Sequence, residues 1–200
     1  EKSGVENEKL EYCCELKIDG LKIVLTYKDG KLINGATRGD GIIGEDVTHN
    51  IKTIQSIPLN LRDNIDIVAV GEVWLSKKVL KKINEEREKN NEPIYANTRN
   101  LAAGSLRQLD PKITASRRLD SFIYDIDQVN FNIIETQYGE IEYLSQQGFK
   151  TNKYSVVCKD LKEVQDFYNE WSKKKHTLDY ELDGIVIKVN SNKIQGILGY

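Results

Sequence analysis

The chain has 200 residues, of which 39% are apolar and 30% charged, and its formal net charge is −2. These values predict a globular domain with a sizeable core and exclude collagen-like and disordered chains. These values indicate no overall positive charge that would attract nucleic acid, although a nucleic-acid-binding protein needs only one basic face. With neither an apolar run of about 18 residues nor a secretory signal at the start of the sequence, we expect a cytoplasmic protein that does not contact a membrane.

The first predicted elements are β-strands. Apolar Leu21, Ile23, Leu25 and Tyr27 alternate with the residues between them, which is the pattern of a half-buried strand. Asp29 and Gly30 are typical of a tight hairpin turn, so residues 31–36 are predicted to return antiparallel. Residues 37–46 contain three glycines and predict a loop.

A second strand is predicted over residues 66–75, and Ser76 is a suitable cap for the helix that follows. Residues 121–126 predict another short strand, and residues 136–147 a helix that ends at Gly148.

The clearest helix begins at Asp160 and Glu163, which resemble a capping box. Its predicted apolar face consists of Leu161, Val164, Phe167, Tyr168 and Trp171. A final apolar strand covers residues 185–189.

Cysteine and histidine offer little chemistry in this chain. Cys13, Cys14 and Cys158 form no C-x-x-C pair and are odd in number, so we expect reduced thiols. The two histidines, His49 and His176, leave few candidates for a metal site or a Ser-His-Asp triad. The sequence therefore indicates no protein metal site.

Two lysines stand out instead. Lys188 interrupts an apolar strand, and Lys17 precedes the turn residues Asp19 and Gly20 in a K-x-D-G pattern. Nucleophilic attack on phosphorus requires a neutral amine, and burial favours the neutral form of lysine. A single K-x-D-G arises by chance, and a lysine at a strand edge can simply reach solvent, so wider context must decide.

Five segments supply that context by their resemblance to the adenylation domain of bacterial NAD-dependent DNA ligases, in the order found in that family. They are residues 15–21 (ELKIDGL), 35–41 with 44–47 (GATRGDG and GEDV), 71–73 (GEV), 100 with 102–111 (N and AAGSLRQLDP) and 183–190 (DGIVIKVN). Thr98 and Leu101 depart from the family, which usually has proline and alanine there.

The resemblance implies that Lys17 attacks the α-phosphate of NAD, expels nicotinamide mononucleotide and carries AMP to the 5′-phosphate of a DNA nick. Mg²⁺ is the implied cation, and nicked double-stranded DNA the implied partner of a complete, monomeric ligase. Such phosphoryl transfer depends mainly on positioning and charge neutralisation.

The resemblance also implies roles around the nucleotide. Glu15 and Tyr124 match adenine contacts, and Arg38 and Lys188 match phosphate and ribose contacts. Glu72 matches a residue of the ribose or metal region. A solvent-facing position remains the alternative for Glu72 and core packing for Tyr124.

Two acidic and two basic residues complete the implied site. Asp19 orients Lys17 or assists a metal, and Asp183 supports the site electrostatically, although both also suit ordinary Asp-Gly turns. Arg99 and Arg107 resemble arginines that meet DNA phosphates or the AMP pocket, and we expect both to bind DNA.

We therefore expect an α+β nucleotidyltransferase fold, similar to ATP-grasp, in which helices flank antiparallel sheets around a nucleotide cleft. Residues 1–200 are expected to be a fragment of a ligase. The family's N-terminal segment for nicotinamide mononucleotide and its oligonucleotide-binding, zinc-finger, helix-hairpin-helix and BRCT parts are missing. The alternatives are a module that binds AMP or DNA without turnover and an ATP-dependent nucleotidyltransferase.

Overall fold

The computed structural model describes residues 10–37, 44–130 and 134–199. Within these ranges the strands are β1 (Tyr12–Ile18), β2 (Leu21–Lys28), β3 (Lys31–Thr37), β4 (Ile67–Trp74), β5 (Asp120–Val129), β6 (Val156–Cys158) and β7 (Leu182–Val189). The α-helices there are α1 (Thr48–Ile51), α2 (Lys77–Lys89), α3 (Thr98–Leu106), α4 (Pro111–Arg117), α5 (Gln137–Gln146), α6 (Leu161–Lys174) and α7 (Asn192–Leu198). This is the mixed α+β architecture that the sequence predicts.

The strands form two antiparallel sheets. One has the order β6-β1-β7 and the other the order β3-β2-β4-β5. Consecutive strands β1 and β2 belong to different sheets and are joined only by the turn at Asp19 and Gly20. A Cβ atom on Gly20 would lie 2.3 Å from the carbonyl oxygen of Val73. Only glycine therefore allows this turn to pass so close to β4.

The predicted strand pattern of β2 and its hairpin is confirmed. Ile23, Leu25 and Tyr27 are buried, as the alternation requires. Asp29 and Gly30 have φ values of +47° and +70°, as in the hairpin turns whose twist matches that of the flanking strands.

Two apolar clusters hold the sheets. The first packs one face of the four-stranded sheet against helical residues that include Ile51, Leu101 and Leu106. The second joins both sheets to α6, and within it the rings of Trp74 and Phe122 stack with centroids 5.3 Å apart. The two sheets are thereby fixed relative to each other at one end.

Local capping chemistry sets the helix ends, as predicted for Ser76 and Asp160. Ser76, Thr136 and Asp160 accept hydrogen bonds from the backbone N–H groups of Val79, Gly139 and Glu163 at the starts of α2, α5 and α6. Gly148, with φ of +101°, follows α5.

The predicted apolar face of α6 is only partly correct. Val164, Phe167 and Trp171 are buried, but Leu161 and Tyr168 are 67% and 49% exposed. Leu161 lies in the first turn, ahead of the packed residues, and Tyr168 is rotated by about 100° from Phe167 around the helix.

Across residues 10–37, 44–130 and 134–199, no helix has the length and apolar content that a bilayer crossing requires.

Candidate active site

A cavity of about 360 Å³ opens where the two sheets meet. This volume is within the usual range of small-molecule sites. The lining residues are Glu15, Leu16, Lys17, Ile18, Lys22, Glu72, Arg99, Phe122, Tyr124, Asn152, Val186 and Lys188. Six residues predicted from the sequence therefore line one cavity, although they come from five different elements.

Strands β1 and β7 supply one wall. Glu15 and Lys17 are two residues apart and share a face of β1, and their Cα partners in β7 are Val186 and Gly184. The register of the pair shifts after Lys17, so Asp183 is the extra residue of a bulge. Bulges often redirect a side chain beside a functional site. Here the carboxylate of Asp183 lies 2.6 Å from Lys17 Nζ.

Strands β2, β4 and β5 supply the facing wall. Lys22, Glu72 and Phe122 are Cα partners across these strands and so share a face. A second register shift in β5 makes Tyr124 an extra residue. The two bulges that border the cavity therefore each contain a predicted site residue, Asp183 in β7 and Tyr124 in β5.

Lys188 is held between two carboxylates. Its Nζ lies 3.3 Å from Glu15 Oε1 and 3.4 Å from Asp125 Oδ1, and it sits 5.5 Å from the centroid of the Tyr124 ring. Burial disfavours the ammonium, but Glu15 and Asp125 outweigh that effect and raise the pKa of Lys188. The raised pKa favours the charged form of Lys188, which suits a contact to phosphate better than nucleophilic attack.

The carboxylate of Glu15 can still accept a hydrogen bond from a ligand in the cavity. Burial raises the pKa of its carboxyl against the opposing charge of Lys188. Glu15 Oε1 lies 3.3 Å from Lys188 Nζ and forms an ion pair with it. A carboxylate oxygen can accept more than one hydrogen bond, so a ligand N–H at this position would be favourable.

A chain of charges surrounds the K-x-D-G turn. Arg99, in the first turn of α3, donates to Asp19 Oδ1 at 3.1 Å and lies 3.9 Å from Asp183 Oδ2. Since Asp183 also contacts Lys17, both predicted acidic residues are connected to the candidate nucleophile. Arg99 is thus a cavity residue, consistent with the AMP-pocket option for this arginine.

Arg107 lies elsewhere. It is not among the residues that line the cavity, and its Nε forms an ion pair of 2.6 Å with Glu45. Buried Asn50 holds the segment around Arg107 in place, because its side-chain amide donates hydrogen bonds to the carbonyl oxygens of Leu106 and Gln108 at 2.8 Å each. Arg38, the remaining predicted residue, is outside the described residues.

Glu72 has an unusual protonation equilibrium. Burial raises the pKa of its carboxyl to about 7, although the charges of Arg99, Lys17 and Lys22 oppose that shift. The unfolded chain loses this proton near the ordinary value of 4.5, whereas the folded chain keeps it to about 7. Between these values the folded state holds more protons, so rising pH favours unfolding.

Glu72→Gln should therefore stabilise the chain at high pH and not at low pH. We expect the free energy of unfolding to rise by about 1 kcal/mol at pH 8, a value reduced for the partial exposure of the side chain. Below pH 4, where both states are protonated, the change should be near zero. Urea unfolding at pH 4, 6 and 8 measures this difference. An equal gain at all three pH values would contradict the shift.

Three residues at the site are missing from the sequence prediction. Lys22 and Asn152 line the cavity, and Asp125 contacts Lys188. The alternation of β2 places Lys22 opposite the buried face, but only the pairing with Glu72 shows that this face borders a cavity. Nothing local in the sequence distinguishes Asn152 or Asp125.

In the part of the chain that the structure describes, no group of three or more His, Cys, Asp or Glu side chains is arranged to hold a metal ion. Asp19 and Asp183 are engaged by Arg99 and Lys17.

Comparisons with known proteins identify the family of this chain. The family model for the NAD-dependent DNA ligase adenylation domain matches residues 1–200. DNA ligases of Bacillus cereus (strain AH820) and Bacillus anthracis are each 47% identical to the chain over 198 residues. Those residues are 99% of this chain but 30% of each relative, so the chain spans less than a third of their length.

A solved structure, titled "Pmar-Lig_Pre.", is similar in fold. Its TM-score is 0.52 at 16% sequence identity, and the match covers 94% of this chain and 40% of that one. At this identity the likeness concerns the fold alone. The match of the family model along the whole chain, together with the ligase relatives, shows that the chain belongs to the NAD-dependent DNA ligase adenylation domain family.

Proposed function

We propose that this chain is the adenylation core of a longer NAD-dependent DNA ligase and that Lys17 takes AMP from NAD. The observation that carries the proposal is that Lys17 opens into the same cavity as Glu15, Tyr124 and Lys188. An adenine pocket, a fixed cation and a candidate nucleophile are thereby combined at one place.

We assign adenine recognition to the side of the cavity that β1 and β5 form. The ring of Tyr124 offers a stacking surface, and the buried oxygen of Glu15 offers an acceptor for the exocyclic amine. Val186, beside Glu15 in the sheet, adds an apolar surface. Glu72 and Arg38 remain proposed contacts to the ribose and phosphate.

We assign the phosphate contacts to the end of the cavity beside the K-x-D-G turn. Lys188 and Arg99 supply positive charge that neutralises the phosphate. The ammonium of Lys17 must first lose a proton, and the carboxylate of Asp183, at 2.6 Å, is placed to accept it. Nζ then forms a bond to the α-phosphorus, while the phosphorus–oxygen bond to nicotinamide mononucleotide breaks and the leaving group keeps the electron pair.

Magnesium fits this chain only together with a nucleotide. Mg²⁺ usually binds through one or two carboxylates and substrate phosphates, and the described residues provide no complete cage of their own. Asp19 and Glu72 are the carboxylates that we propose near such an ion.

The larger assembly is also a proposal. The fold likeness supports a nucleotidyltransferase fold, and the 30% coverage of the ligase relatives supports a domain that works within a longer enzyme, which we propose to be a monomer. We propose that this enzyme acts on nicked double-stranded DNA. Arg107, which lies outside the cavity on an exposed segment, is the proposed DNA-phosphate contact.

The chain alone should bind AMP but react with NAD slowly or not at all. Expulsion of nicotinamide mononucleotide requires an oriented leaving group, and we propose that a segment outside this chain supplies that orientation. Calorimetric titration with AMP, followed by intact-mass measurement after incubation with NAD or ATP and Mg²⁺, tests both parts.

The possible outcomes separate the candidate functions. AMP binding that is lost in Glu15→Ala, with slow labelling from NAD and none from ATP, supports the proposal. Labelling from ATP alone would favour an ATP-dependent nucleotidyltransferase. AMP binding with no labelling, even within a complete ligase, would favour a module without turnover.

A further inference from the structure

The cavity holds one basic side chain that the proposed chemistry does not use. Four basic residues line it, and three of them are paired: Lys17 with Asp183, Arg99 with Asp19, and Lys188 with Glu15. Lys22 is the fourth. Across the described ranges, its ammonium has no hydrogen bond or ion pair.

The chemistry around Lys22 does not supply a strong partner. Glu72 is its Cα partner in β4 and feels its charge, but within the described ranges no ion pair joins the two side chains. A half-buried lysine that faces a ligand cavity and forms no ion pair there favours an anionic ligand group.

The position of Lys22 indicates which anionic group of a ligand it would bind. Lys17 is the second-last residue of β1 and Lys22 the second residue of β2, so the two lysines flank the turn at Asp19 and Gly20. The two sheets thus each contribute one lysine to the same end of the cavity. If Lys17 meets the first phosphate of the nucleotide, a group bonded to that phosphate lies within reach of the opposite wall.

We propose that Lys22 binds the second phosphate of a diphosphate-linked nucleotide. This inference rests on the proposed function, because it assumes that Lys17 meets the first phosphate. In NAD the second phosphate belongs to the departing mononucleotide, so Lys22 holds the leaving group and contributes nothing to AMP alone. Lys22 is in this sense a specificity residue for dinucleotides and diphosphates over monophosphates.

The test compares AMP, ADP and NAD as probes of the 200-residue chain by calorimetry. Lys22→Ala should weaken binding of ADP and NAD about five- to tenfold, the scale of one charge-assisted contact, and weaken AMP binding less than about twofold. Lys22→Arg should restore most of the lost affinity because it retains the charge. Lys28→Ala is the matched control, since Lys28 lies on the same strand and face but at the exposed hairpin end.

Each result has a distinct meaning. Equal losses for all three probes would assign Lys22 to the first phosphate and overturn the proposal. So would unchanged binding of ADP and NAD. Failure of the unsubstituted chain to bind any probe would instead count against the proposed function. Thermal unfolding of Lys22→Ala and Lys22→Gln separates a loss of binding from a folding defect. If the loss of ADP affinity in the two variants were proportional to their loss of thermal stability, the assignment would also be overturned.

Discussion

Lys17→Arg should leave a complete ligase that contains this domain unable to take up AMP from NAD. Arginine keeps the positive charge and the ion pair with Asp183, so the local electrostatics change little. Its pKa, above about 12, excludes the neutral nucleophile that attack on phosphorus requires. Intact-mass measurement after incubation with NAD and Mg²⁺ should show AMP attached to the unsubstituted enzyme and none on the variant.

Lys28→Arg is the matched control for this experiment. Lys28 is an exposed lysine of β2 that does not line the cavity, so the same exchange there should leave AMP uptake unchanged. Uptake by Lys17→Arg at a rate near that of the control would contradict the assignment of Lys17 as the nucleophile.

Arg99→Ala and Arg107→Ala should affect different steps of ligation. Arg99 lines the cavity and contacts Asp19, so its loss should slow both AMP uptake and nick sealing, each by about tenfold or more. Arg107 lies outside the cavity and pairs with Glu45, so its loss should slow sealing much more than uptake. Single-turnover sealing by pre-adenylated enzyme isolates the second step.

The salt dependence of nick binding provides the second criterion for Arg107. Loss of one phosphate contact should reduce the slope of log affinity against log salt by about one unit. Sealing at the unsubstituted rate with an unchanged slope would make Arg107 a residue that stabilises its loop through Glu45. Equal effects of both variants on uptake would remove the distinction between the two arginines.

Local features of the fold were predictable because local chemistry determines them. The alternation of β2, the turn at Asp29 and Gly30, and the caps Ser76 and Asp160 each depend on residues within a few positions of one another. All four predictions are confirmed by burial, backbone angles or cap hydrogen bonds.

Features that depend on distant segments were not predictable in this way. Lys17 meets Asp183 across 166 residues, and the bulge that makes this contact possible has no local sequence pattern. The exposure of Leu161 and Tyr168 likewise depends on which side of α6 the second apolar cluster covers. Helix α3 starts from the Asn97 cap within a small, polar segment for which the sequence predicted no element.

The candidate site shows the same division. Motif resemblance identified Lys17, Glu15 and Lys188, and the structure brings all three to one cavity. It identified no role for Lys22, because an unpaired ammonium is a property of the folded surroundings and not of the residue type. Roles for these residues stay predictions that the experiments above address.

The most direct test of the central proposal is to locate AMP on the protein. A complete ligase that contains this domain, incubated with NAD and Mg²⁺ and then digested, should yield one AMP-modified peptide by mass spectrometry, with the modification on Lys17. AMP on Lys22 or Lys188, which line the same cavity, would contradict the account of the site. So would the absence of any AMP-modified peptide from an enzyme that seals nicks with NAD.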